Sequence, residues 1–308
     1  MSGTQLRVGL IFEVLGGDTG YGRGAYLGME RAVRELGIKG RLLVPAPKEG
    51  YAPSLILCAQ QGYDLVLAMG FGTAAAVDAV ASRFPETRFA ILDAPHDALP
   101  NRPKNVQALV FAEEEASYLA GCLAALMVAH APGGHVISSV AGQPVPAVER
   151  WIAGFQAGAK RVDPDITTLN SYTHTFLDRL KGRSVALGQI ARGSRVLFQV
   201  AGTCGLGVLE AAKEHGVWGI GVDIDQSELG SHILTSAIKR LDIAVFATIE
   251  KLLDGTYETG GTSRFYLRDD AVGLATISDE VPDSIIAEVE SVAAEILAGD
   301  VTIPTSVR

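Results

Sequence analysis

Short apolar runs bounded by turn residues alternate with stretches of helical periodicity along most of the chain. Runs rich in Val, Ile and Leu predict strands at 6–12, 40–45, 64–69, 87–92 and 106–111, then at 134–140, 167–172, 194–200, 217–222 and 232–236. Amphipathic segments between them predict helices near 22–37, 52–61, 73–83, 113–129, 145–161, 176–191 and 205–215. Continuously apolar strands with helices between them imply α/β architecture, with parallel sheets covered on both faces. Ten such strands are many for one sheet. The break at residues 130–134, His-Ala-Pro-Gly-Gly, and the renewed rhythm after it predict two similar α/β lobes. In the last quarter, Ala237 to Gly255 reads as one helix ending at a glycine. Short strands at Arg264–Leu267 and Gly273–Ala275 follow, then a helix from about Pro282 to Ala298 whose Glu288 and Glu295 mark a solvated face. No internal repeat of about 20–50 residues is present.

The first strand, Val8 to Phe12, runs into a glycine-rich turn with glycines at 16, 17, 20, 22 and 24, and a helical pattern follows at once. Such a turn brings backbone N–H groups against whatever sits at the strand's carboxyl end. A dinucleotide site would need Gly-x-Gly-x-x-Gly and an acid at the end of the second strand, which closes Leu42-Leu43-Val44-Pro45 without one. A purely structural turn is a second alternative. The turn also carries Asp18 and Tyr21, which a phosphate cradle does not need and a pocket for a flat polar ligand would use.

Further candidates follow the same logic. The strand Arg88 to Leu92 ends in Asp93, where open α/β sheets bind ligands. An ionised carboxylate accepts hydrogen bonds only, so it suits an N–H edge of a purine. The competing role is a loop cap. A second strand–glycine–helix junction, Val200-Ala201-Gly202-Thr203, lies in the second lobe. Soon after, Gly219 to Val222 ends in Asp223, placed to take two ribose hydroxyls. Lys239 falls where chain and crevice should meet, against the alternative of a surface lysine capping a helix. There is no Gly-x-Ser-x-Gly elbow, no P-loop and no His-Glu-x-x-His. Asp93, His96 and Asp97 form a triad fragment without a nucleophile turn. No catalytic residue is assigned.

Composition narrows the partners. Of the 308 residues 48% are hydrophobic, yet no apolar run approaches the roughly 18 residues of a membrane span, so the chain reads as soluble. A formal charge of −9 and an isoelectric point near 5.2 argue against nucleic acid or an anionic membrane surface as partner. Cys58, Cys122 and Cys204 lack Cys-x-x-Cys spacing and read as small core residues, or at most one stray bridge. The six histidines show no metal-ligand spacing with them, so no zinc or other metal and no cofactor is expected. No charged n-region, apolar h-region or lipid-attachment cysteine precedes the first strand, so the chain reads either as cytosolic or as relieved of a leader.

Taken together, these blocks resemble the basic membrane protein family, bacterial substrate-binding lipoproteins that bring purine nucleosides to ABC importers. The resemblance runs nearly end to end: Gly17-Asp18-Thr19-Gly20-Tyr21-Gly22, Phe89-Ala90-Ile91-Leu92-Asp93, Glu114-Glu115-Ala116-Ser117-Tyr118-Leu119-Ala120-Gly121, the stretch Pro146 to Ala159, Gly219 to Asp223, and Ser236 to Arg240. It implies a type I periplasmic-binding-protein fold: two Rossmann-like lobes with parallel sheets, joined by a hinge and closing on a ligand held between them. Residues 1–112 with about 238–268 would form the N-terminal lobe, and 113–237 with about 269–308 the C-terminal lobe.

By position, the resemblance implies that Tyr21, in place of a phenylalanine, stacks on the base. Asp93 would bind the purine's nitrogen edge, Asp223 the ribose hydroxyls and Lys239 polar atoms nearby. Phe176 is the choice for the second ring, with Trp151 behind it. The family asparagine after the stacking ring is Gly22 here, which removes an amide able to read the base. The expected ligand is a nucleoside of the adenosine, guanosine or inosine class, not a nucleotide, because no arginine fork for phosphate is present. The expected partners are that ligand and an ABC permease; the expected state is a non-enzymatic, extracytoplasmic monomer. A cytosolic nucleoside-sensing regulator, a sugar or other heterocycle binder, and an enzyme on the same scaffold are the alternatives.

Overall fold

The computed structural model describes residues 5–12, 20–45, 48–129 and 135–307. In chain order the elements are β1 (Arg7–Ile11), α1 (Gly20–Leu36), β2 (Lys39–Leu43), α2 (Ala52–Gln60), β3 (Leu65–Ala68), α3 (Ala74–Ala81), β4 (Arg88–Leu92), β5 (Val106–Phe111) and α4 (Glu113–Ala129). Then come β6 (Val136–Ala141), α5 (Pro146–Val162), β7 (Thr167–Tyr172), α6 (Arg179–Ala191), β8 (Val196–Val200), α7 (Thr203–Glu214), β9 (Trp218–Asp223) and β10 (Ile233–Lys239). The chain ends with α8 (Leu241–Leu253), β11 (Gly261–Phe265), β12 (Val272–Leu274) and α9 (Asp283–Ala298). No helix among the described residues is long and apolar enough to cross a membrane.

Two compact units result. Unit 1 is residues 1–111 with 241–265, and unit 2 is residues 112–240 with 266–308. Unit 1 holds a sheet in the order β11-β5-β4-β3-β1-β2, parallel throughout. Unit 2 holds a sheet in the order β12-β10-β9-β8-β6-β7, parallel except for the antiparallel pair β10–β12. The two orders are the same pattern used twice: β1 to β5 correspond to β6 to β10. In each sheet the connections reverse direction between the first and third strands of the unit, at β1/β3 and at β6/β8. Open α/β sheets bind ligands beyond the carboxyl ends of their strands at such a reversal.

The inner strands β3, β4 and β8 are buried along nearly their whole length, which is why they read as uninterrupted apolar runs. The edge strand β2, Lys-Gly-Arg-Leu-Leu, is exposed except at Leu43, and its cations discourage pairing with another strand. In unit 1 the core gathers Leu55, Cys58, Val66, Phe89 and Ile91 between sheet and helices. In unit 2 the α6/α7 side of the sheet packs Val140, Leu197, Val208 and Ala211. A fully buried ring such as Phe89 contributes about 1.5–3 kcal/mol over its exposed state. Cys58, Cys122 and Cys204 are buried free thiols. Burial pushes the Cys58 thiol up to about 11 and the Cys122 thiol up to about 12, so both pack as small apolar residues.

Two expectations need correction. Ala237 to Lys239 are not the start of a helix. They close β10, because Ala237 pairs with Val222 and Ile238 with Asp223 in β9, while β12 takes the other edge. Two sheet partners outweigh a helical periodicity that runs on from Ala237. Likewise α6 starts at Arg179 rather than 176: Asp178 is its N-cap, accepting a hydrogen bond from the Lys181 N–H at 3.0 Å. Phe176 is thereby left on a loop.

Candidate functional site

In unit 2, four predicted residues fall at the carboxyl edge of the sheet. Phe176 lies on the loop after β7. Its ring covers Gly142, just beyond β6, and its backbone lies against Gly202, just beyond β8; neither glycine has room there for a free side chain. The Phe176 carbonyl accepts from the Cys204 N–H at 3.3 Å, and Thr173 bonds back to the Ala141 carbonyl, so the loop is tied to both strand ends. Gly202 has φ 57° and ψ −129°, a conformation for glycine alone, and it opens α7. The ring is therefore seated at the β6/β8 reversal.

Asp223 closes β9 with φ 69°, and the Ile224 N–H reaches the Val222 carbonyl at 2.8 Å. That is a γ-turn of the strained hand. The turn is held from below. Gln226 Oε1 accepts from the Val222 N–H at 3.1 Å and from Gln199 Nε2 at 2.9 Å, while the Gln226 N–H donates to Ser236 Oγ at 3.0 Å. Its neighbour Asp225 has a different task, accepting from Thr276 Oγ1 at 2.6 Å and from the Ser227 N–H at 2.9 Å. Burial would raise the Asp225 carboxyl, but these hydrogen bonds outweigh it and hold the group below the usual carboxylate range.

Lys239 is the last residue of β10 and only 2% exposed, so it is not a surface helix cap. Its ammonium lies 3.4 Å from Glu113 Oε1, and Arg150 Nε donates to Glu113 Oε2 at 2.6 Å. Glu113 is wholly buried at the start of α4, where the helix dipole also favours a negative charge. Sequence reasoning missed Glu113 as the partner of Lys239, and Arg150 as the second cation on the same carboxylate. The signal lay in the acidic triplet Glu113-Glu114-Glu115, of which the sequence motif used only the last two. Trp151 is 2% exposed on α5 and packs edge-on against Phe198 at 6.1 Å, a core contact within unit 2.

In unit 1, Tyr21 occupies the first turn of α1, half-buried with its hydroxyl buried. Asp93 follows β4 with φ 64° and is 6% exposed; its N–H donates to the Leu109 carbonyl at 2.9 Å. Asp18 lies outside the described residues, as do Gly16 and Gly17. Of the turn's described glycines, Gly22 sits against the Phe12 ring and Gly24 against Leu241; further along α1, Gly28 allows the helix to approach the α8 backbone at Asp242. The triad fragment is dispersed: His96 is buried with Nε2 3.0 Å from the Pro103 carbonyl, and Asp97 is exposed. Among the described residues no group of His, Cys, Asp and Glu could hold a metal ion.

A parallel sheet of this strand order, built twice, defines a type I periplasmic-binding-protein-like fold of the kind used by ABC transporter solute-binding proteins. The crystal structure of such a protein from Aeropyrum pernix K1 superposes with a TM-score of 0.86 at 25% identity, covering 98% of this chain and 94% of that one. An uncharacterized lipoprotein of Pyrococcus horikoshii is 33% identical over 284 residues, 88% of this chain and 69% of its own. The ABC transporter nucleoside-binding protein BmpA of Lactococcus lactis is 32% identical over 266 residues, 80% of this chain and 72% of its own. The family model described as Bmp, ABC transporter substrate-binding protein PnrA-like, matches residues 5–306. The chain belongs to that family of ABC transporter substrate-binding proteins.

Proposed function

We propose that this chain captures a purine nucleoside outside the cytoplasm and presents it, unaltered, to the permease of an ABC importer. The observation that carries this reading is the pair Asp93 and Asp223, two carboxylates held at positive φ at the carboxyl ends of corresponding strands. Backbone strain of this kind persists where function requires it. Tyr21 stacks on the base and Asp93 accepts its N–H groups; Asp223 takes the ribose hydroxyls, and Lys239, with the peptide groups around Gly202, binds polar atoms nearby. Phe176 supplies the second ring. A relative bearing the name nucleoside-binding protein and another bearing the name lipoprotein support the ligand class and the extracytoplasmic, lipid-anchored setting. Leaving Asp93 without its partner would cost about 1–3 kcal/mol, so a base presenting the wrong edge is rejected.

The test is a thermal-shift and calorimetry panel of nucleosides, free bases, nucleotides and sugars. The expected result is binding of adenosine, guanosine or inosine well above nucleotides and sugars, each recovered unchanged by chromatography. Preferential binding of sugars, or release of free base, would overturn the reading.

A further inference from the structure

Phe71 is the most exposed Phe, Tyr or Trp side chain in the chain, at 40%. It directly follows Gly70 (φ 84°) at the carboxyl end of β3, and strand β3 lies between β1 and β4. Its loop therefore follows the strand that separates β1, which precedes the helix carrying Tyr21, from β4, which precedes Asp93. It lies on the β3 side of the β1/β3 reversal of unit 1. The corresponding position in unit 2, the loop after β8, carries Gly202. An exposed apolar side chain is ordinary when it sits on a mobile or featureless surface. This one does not. Thr73 is fully buried and donates both its hydroxyl, at 2.8 Å, and its N–H, at 3.0 Å, to the Gly70 carbonyl, which fixes the turn. The next helix sends Ala74 and Ala76 against the core cluster, and Phe71 is not part of it.

We infer that Phe71 is a ligand-contacting ring of unit 1, an apolar wall beside Tyr21 that selects a flat heterocycle. The inference rests on the proposed nucleoside reading and deepens it. Because Phe71 shares its unit and sheet edge with Tyr21 and Asp93, it addresses the base and not the sugar.

The experiment compares the parent, Phe71→Ala and Phe71→Tyr by calorimetry with adenosine and adenine, alongside melting of the ligand-free proteins. Phe71→Ala is expected to raise Kd for both ligands by the same factor, about tenfold, as loss of a stacked ring does. Phe71→Tyr is expected to stay within about twofold of the parent, and ligand-free Tm is expected to be unchanged in both variants. Parent-like binding by Phe71→Ala would overturn the inference, and a loss confined to adenosine would overturn the assignment to the base. A parent that binds neither compound overturns the nucleoside reading instead. The variants are then compared with whichever other nucleoside, base or sugar shifts the parent's Tm, where equal affinity refutes the role of Phe71 and weakened binding sustains it. A parent that binds nothing in the panel overturns both.

Discussion

Asp93 and Asp223 stand in the same place in the two sheets: one follows β4, the other closes the corresponding strand β9, and their φ angles are 64° and 69°. A left-handed conformation costs a non-glycine residue roughly 1–2 kcal/mol. Two aspartates bearing that strain at corresponding strand ends are better accounted for by a shared use of the carboxylates than by local turn chemistry.

The pair can be separated by experiment. Asp93→Gly and Asp223→Gly each delete a carboxylate and leave a residue that tolerates the positive φ. Asp93→Gly is expected to weaken nucleoside and free base alike by about tenfold or more, and Asp223→Gly the nucleoside only. Tyr21→Ala should behave as Asp93→Gly does. Calorimetry with a nucleoside and its base decides; parent-like affinity in all three variants would remove these residues from the site.

Glu113 holds two cations in the interior of unit 2. With the Glu113 carboxylate and Lys239 at 0% and 2% side-chain exposure, Glu113→Gln leaves Lys239 and Arg150 facing a neutral amide. Breaking one partner of a buried ionic group costs about 3–5 kcal/mol. The urea midpoint should fall accordingly, and Glu113→Gln combined with Lys239→Met should be less damaging than the sum of the two. Simple additivity, or a loss below about 1 kcal/mol, would show that Glu113 and Lys239 are not energetically coupled.

His232 predicts an acid-side loss of stability. Burial of the ring, then the charge of Lys213 beside it, lowers its pKa below the ordinary histidine value. The unfolded chain therefore binds this proton more readily than the folded one. Stability from this group is present above the usual histidine range, near 6.5, and is lost as pH falls through it toward the lowered folded value. His232→Gln should flatten the decline of Tm between about pH 7 and 5. An unchanged slope would place the acid sensitivity elsewhere.

How much of this was legible beforehand depended on where each signal resides. The strands β3, β4 and β8 were plain, because burial on both faces demands continuous apolar runs. The strand-end positions of Asp93 and Asp223 were legible because a strand's end can be read from its last apolar residue. The end of β10 was lost: its pairing with β9 and β12 comes from residues distant in sequence and overrides local periodicity. Glu113 was missed for a related reason, since its partner Arg150 lies on another helix and Lys239 on a strand. The double use of one strand order left no trace as a short repeat.

Gly202 offers the sharpest test of the unit 2 edge. Its φ of 57° with ψ −129° excludes side chains, and a Cβ there would stand 3.2 Å from the Phe176 carbonyl oxygen and 3.3 Å from the Phe176 Cβ. Gly202→Ala must therefore either strain the turn, at about 1–3 kcal/mol, or move the loop that carries the ring. Either route is expected to lower Tm and to weaken nucleoside binding by about tenfold or more. Gly188 supplies the control. It lies inside α6 with open space where its Cβ would be, so Gly188→Ala should raise stability by about 0.5–1 kcal/mol and leave binding alone. If Gly202→Ala melts and binds like the parent, the edge of unit 2 tolerates a displaced Phe176, and the ring has no part in holding the ligand.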